Sequence, residues 1–147
     1  MRAVPQTSNT QPTRAEHVRY TRTALSTNMA RVLVVDDIPA NLLSLQAALG
    51  HLPAELVTAG SGEEALKAAA HGDFAVALLD VMMPVMDGLA TARALKALQP
   101  RLPIMFLTAQ DEHGSFRDEA YALGGVDYLI KPFDLNVIRQ KVAAFLG

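Results

Sequence analysis

Three carboxylates, a hydroxyl and an ammonium stand where short apolar runs of this chain end. Asp36 and Asp37 follow RVLVV, Asp80 follows AVALL, Thr108 follows IMFL, and Lys131 follows VDYLI. Taken singly, an aspartate in such a place is an ordinary helix cap or loop residue. Together, on one rim, they form a site with a definite chemistry. Crowded carboxylates repel one another unless a cation shares them, and hard oxygen donors with room for water suit magnesium rather than zinc or copper. Magnesium would neutralise an approaching phosphoryl group and leave one carboxylate free to attack phosphorus, giving an acyl phosphate. Lys131 would offset the remaining charge, and Thr108 would donate a hydrogen bond to a phosphoryl oxygen. Phosphoryl transfer needs little more than such positioning and charge stabilisation.

The elements that must bring these groups together follow from the hydrophobic pattern. From residue 31 onward, short β-branched or aliphatic runs alternate with longer segments of helical period, the signature of β-α units on a parallel sheet. The pattern predicts strands over 31–35, 55–59, 75–79, 104–107 and 126–130. The third run lacks any polar alternation, as a central strand covered on both faces requires. Helices are expected from Pro39 to Leu49, from a Ser61 cap with Glu64 at capping-box spacing to Gly72, and from an Asp87 cap to about Gln99. A fourth should lie within Asp111–Leu123, weakened at Gly114 and stopped by Gly124, and a fifth should run from an Asp134 cap through Leu135 to Leu146. In an open sheet of this kind the site lies at the carboxyl ends of the strands, which is where all five groups fall.

The chain has 147 residues, 50% of them hydrophobic, which is enough apolar surface for the core of one domain. A formal net charge of −2 offers no basic field for nucleic acid or an anionic membrane, and without cysteine there is no disulfide, thiolate metal site or thiol nucleophile. No apolar run is long enough to span a bilayer. Residues 1–28 stand apart: threonine-rich, with Pro5, Pro12, and Arg2, Arg14, Arg19 and Arg22 against the single acid Glu16. This composition predicts a flexible N-terminal extension, with the folded unit over 29–147.

At this point VLVVDD, LLDVMMPVMDG, FLTA and DYLIKPF, in this order, resemble the response-regulator receiver domain of two-component signalling. The resemblance covers residues 31–147, and its motifs are specific in combination. It implies a doubly wound α/β fold, a flavodoxin-like (βα)5 three-layer sandwich with a parallel five-stranded sheet of order 2-1-3-4-5. It implies Asp80 as phosphoacceptor, Asp36 and Asp37 as the magnesium-binding pair, and Asp80 and the backbone carbonyl of Met82 as further ligands. Thr108 and Tyr128 resemble the switch pair, Lys131 the lysine of the site, and Pro132 is expected to follow a cis peptide bond. Met82 and Gln110 match the positions that flank attacking water and tune dephosphorylation, and the small Ala109 should leave the phosphate accessible. Gly125 departs from the alanine frequent there, and the stretch from Thr108 to Tyr128 is about one residue longer than the family's usual spacing.

The function so implied is that of a phosphoryl acceptor in a phosphorelay, not an enzyme with a separate catalytic domain. The donor would be a sensor histidine kinase or histidine phosphotransfer protein, docking on the exposed part of the first helix with Ile38 and Leu43. The readout would be a change in the face formed by the fourth helix, fifth strand and fifth helix, toward a downstream effector or a phosphorylation-dependent homodimer, in the cytoplasm. The chain would be a single-domain regulator or a receiver excised from a larger protein. A haloacid-dehalogenase-type phosphatase would place its two acids one residue apart after a single strand, whereas Asp36 and Asp37 are adjacent. A flavodoxin-like cofactor binder would need Ser, Thr and Gly after the first strand to cradle a phosphate. A scaffold with a degenerate site fits poorly with the full acidic and switch set. His17, His51, His71 and His113 show no ligand spacing, and Met82, Met83 and Met86 read as loop packing.

Overall fold

The computed structural model describes residues 29–83, 85–108, 117–132 and 134–146. The expected extension over 1–28, together with Ala109, Gln110, His113, Gly114 and Phe116, lies outside the described residues.

Strands β1 (Ala30–Val35), β2 (Ala54–Ala59), β3 (Val76–Asp80), β4 (Ile104–Thr108) and β5 (Gly125–Ile130) form one parallel sheet of order β2-β1-β3-β4-β5. Helices α1 (Pro39–Leu49), α2 (Gly62–Ala69), α3 (Gly88–Leu98), α4 (Arg117–Ala122) and α5 (Leu135–Ala143) alternate with them. The fold is the doubly wound three-layer sandwich that the sequence predicts.

Two cores result from the period of two along each strand. Leu33, Val35, Ala77, Leu79, Ile104 and Phe106 face α2, α3 and α4. Val32, Val34, Leu78, Met105 and Leu107 face the other way, onto Leu45 and Leu49 of α1 and Ile138 and Val142 of α5. Every residue of β3 is buried, because helices cover both of its faces. Each large aliphatic side chain buried this way contributes roughly 1.5–3 kcal/mol.

The expected caps are present. Ser61 Oγ accepts from Glu64 N (3.1 Å), while Glu64 Oε1 reaches back to the amide of Gly60 (2.8 Å). Asp87 Oδ1 caps α3 through Ala90 N and Asp134 Oδ1 caps α5 through Asn136 N, both at 2.8 Å. Gly124 takes the positive φ (92°) that stops α4. Two helices are shorter than expected. α2 closes at Ala69, before Gly72, and α5 closes at Ala143, before Leu146. Beyond α5, Phe145 and Leu146 donate to Val142 O and Ala143 O, a tighter turn that lays both side chains on the core.

Ile104 pairs with Gly125 but Met105 pairs with Asp127, so β5 carries a bulge at Val126. The glycine at 125 has a steric cause. A Cβ there would stand 2.7 Å from Ala120 O and 2.9 Å from the Phe106 ring.

Candidate functional site

β1 and β3 are adjacent parallel strands, so their ends bring Asp36, Asp37 and Asp80 to one edge. One carboxylate oxygen from each lies within 4.8 Å of the others. Asp36 is 1% and Asp80 3% exposed, whereas Asp37 is half-buried. Carboxylates this close and this dry need compensating charge. Lys131, which follows β5, supplies part of it: its Nζ lies 3.1 Å from Asp36 Oδ2 and 3.5 Å from Asp80 Oδ2. The backbone anchors this lysine, Lys131 N donating to Thr108 O at 2.6 Å. The Lys131–Pro132 peptide bond is cis, as the resemblance implies.

Asp36 and Asp80 are also held by their own chain. Ile38 N donates to Asp36 Oδ1 (2.9 Å), and Met82 N donates to Asp80 Oδ1 (3.0 Å). Asp80 Oδ2 is therefore the oxygen that faces the ammonium. Burial pushes the Asp80 carboxyl above its ordinary pKa. The Met82 amide and Lys131 pull it down, and the neighbouring Asp36 charge pushes it up. Burial prevails, so the Asp80 anion is held at a cost that a cation among the three carboxylates would relieve.

Thr108 ends β4 and is fully buried. Tyr128 pairs with Phe106 across β4 and β5, and Thr108 with Ile130. Thr108 and Tyr128 thus lie diagonally on one face of the sheet. The Tyr128 ring is buried in the core layer with Phe106 and Ala120, and the Arg117 guanidinium lies over it at 5.4 Å.

The loop after Asp80 is shaped by α3. Gly88 N donates to Val81 O (2.9 Å), and a Cβ on Gly88 would stand 2.2 Å from Asp80 O. Val85 in this loop has a positive φ of 67° and is fully exposed. Met83 is buried and packs into the core, but Met82 is 54% exposed at the mouth of the site. Ile38 and Leu43 are 48% and 67% exposed, so they do not serve the core. A cavity of about 250 Å³ opens beside the site, between α1 and the turn at Lys131 and Pro132.

The sequence pattern points to Asp36, Asp37, Asp80, Thr108, Lys131 and Met82, which lie at this edge, and to Tyr128, which lies two residues before the end of β5; Gln110 lies outside the described residues. The pattern misses Asn41, whose Nδ2 donates to Asp36 Oδ2 at 3.1 Å. The only signal was an amide in the first turn after the paired acids.

The family model described as "Response regulator receiver domain" matches residues 32–143. The chain is 39% identical over 116 residues to the transcriptional regulatory protein ZraR of Escherichia coli K12, covering 79% of this chain and 26% of that protein. It is 38% identical over 130 residues to the sensor protein GacS of Pseudomonas syringae, covering 84% of this chain and 14% of that one. The response regulator TrrA of Thermotoga maritima, solved with Mg(2+)-BeF, superposes with a TM-score of 0.70 at 33% identity, covering 80% of this chain and all of that one. The chain therefore spans about a quarter or less of the length of these two curated relatives.

Proposed function

This chain belongs to the response regulator receiver domain family, and from that premise we propose that it takes a phosphoryl group onto Asp80 Oδ2 from a phosphohistidine. The observation that carries this reading is the pairing of a buried carboxylate with a lysine shared between it and Asp36. Oδ2 attacks phosphorus, the bond from phosphorus to the histidine nitrogen breaks, and that nitrogen leaves with the electron pair. The phosphoryl group then lies beside Lys131 Nζ, with Thr108 as hydrogen-bond donor to one of its oxygens. Asp36, Asp37 and Asp80, with the Met82 carbonyl, would hold magnesium, which supplies positive charge to the phosphoryl oxygens when bound. The three-oxygen cluster and the raised pKa of Asp80 fit such an ion.

Response follows from Thr108 and Tyr128 as a coupled pair on one sheet face: movement of the hydroxyl toward the phosphoryl group alters the space available to the ring, and with it α4, β5 and α5. That face exposes Tyr121, Val126, Ile130 and Val137, suited to an effector or a second copy. Exposed Ile38, Leu43 and Leu135 near the site suit a kinase or phosphotransfer partner. Met82 and Gln110 set the lifetime of the acyl phosphate, which hydrolyses without a separate catalytic domain. The receiver unit is assigned to 29–147, preceded by an extension over 1–28, in a cytoplasmic setting. Among the described residues no helix is long and apolar enough to cross a membrane.

Titration with acetyl phosphate or beryllofluoride in the presence of magnesium, comparing wild type with Asp80→Asn, tests the reading. The expected result is a response lost in the variant; a response independent of Asp80 defeats it.

A further inference from the structure

We propose that Asn41 is a positioning residue for the site: its amide holds the Asp36 carboxylate in place when Lys131 leaves it. This rests on the reading of Asp36 as a magnesium ligand. Among the described residues, Asp36 Oδ1 has one donor, Ile38 N at 2.9 Å. Oδ2 has two, Asn41 Nδ2 and Lys131 Nζ, both at 3.1 Å. The two are not equivalent. Lys131 also faces Asp80 Oδ2 at 3.5 Å and carries a full charge.

A divalent cation on Asp36 and an ammonium on the same carboxylate repel one another strongly in a poorly screened site. Lys131 must then shift toward Asp80, where its charge serves the phosphoryl group. Asn41 is neutral and has no reason to move. Its amide orientation is fixed by chemistry, because turning the oxygen toward Asp36 would oppose two acceptors. It stands in the first turn of α1, a helix anchored on the core by Leu45 and Leu49 and started by Pro39. With Asn41 in place, Asp36 keeps one donor on each oxygen whether or not the lysine is present. Without it, the shared lysine alone among the described residues orients Oδ2, and the carboxylate is free to turn once that lysine departs. Partners that orient metal ligands in this way are commonly worth tenfold or more in metal affinity.

The test is calorimetric titration of the full chain with magnesium chloride, without phosphodonor, on wild type, Asn41→Ala and Asn41→Leu. Both variants should bind magnesium about tenfold more weakly, with metal-free melting within about 3 °C of wild type. The loss should persist when Lys131→Ala is the background, since Asn41 acts after the lysine has left. Affinity within about twofold of wild type in Asn41→Ala overturns the proposal. So does an unimpaired Asn41→Leu, which would make the role one of packing. Loss of the Asn41 effect in the Lys131→Ala background also overturns it, since Asn41 would then act only through the lysine. A wild-type chain that binds no magnesium at millimolar concentration removes the metal reading of the site itself, and this inference with it.

Discussion

Gly88 lies so close to Asp80 that a Cβ on the glycine would meet the Asp80 carbonyl oxygen at 2.2 Å and the Val81 Cα at 2.7 Å. Both obstacles are backbone, so neither can swing aside. The absent side chain lets the first residue of α3 rest on the strand end that carries Asp80. Gly88→Ala should cost about 3 kcal/mol, the upper range for overpacking, and should slow labelling by acetyl phosphate by displacing the Asp80 loop. Urea unfolding and a labelling time course check it; a loss below about 0.5 kcal/mol would mean the two segments separate freely.

The raised pKa of Asp80 sets a pH dependence. A carboxyl that holds its proton more tightly folded than unfolded favours the fold at low pH, and that contribution is lost as pH rises through the shifted pKa. Asp80→Asn keeps an acceptor for Met82 N but no charge. It should melt higher than wild type at neutral pH, because the cost of the buried anion is removed. The gain should vanish in acid, below the ordinary carboxylate pKa. Melting curves from neutral to acid pH decide this, and a gain that persisted in acid would assign the effect to something other than Asp80 ionisation.

Gln99 makes a buried clamp remote from the site. Its Oε1 accepts from Phe74 N (3.0 Å) and its Nε2 donates to Ala69 O (3.0 Å) and Gly72 O (2.9 Å), tying the end of α3 to the end of α2 and the entry to β3. Gln99→Leu leaves the Phe74 amide without its partner and should cost about 2–3 kcal/mol. The extent of Asp80 labelling at saturating acetyl phosphate should not change. Chemical denaturation and end-point labelling separate the two effects.

Met82 is exposed at the mouth of the site and has no group that binds water strongly. Met82→Asn should shorten the acyl-phosphate lifetime several-fold by orienting a water toward phosphorus. Decay after removal of the phosphodonor measures this. An unchanged rate removes Met82 as a determinant of lifetime.

Much of the molecule is legible in the chain because its signals are local. Apolar runs of strand length, the caps Ser61, Asp87 and Asp134, and the stop at Gly124 depend on neighbours a few residues away. The end of α5 was not legible, since the Ile138, Val142 and Phe145 stripe continues past the point where the backbone tightens. The bulge at Val126 was not legible either, since it depends on how β5 registers against β4.

The sequence by itself determined the chemistry of the site: which residues end the strands, and that acids, a hydroxyl and a lysine gather there. That follows from parallel β-α order, which sends every strand's carboxyl end to the same edge. Only the tertiary structure decided which oxygen of Asp80 faces Lys131, that Lys131 is shared with Asp36, and that Asn41 and Gly88 shape the site. Those are contacts between segments far apart in the chain or between side chain and backbone, at distances of 2–4 Å. No pattern of residue types encodes them, because they depend on how the packed layers settle against one another.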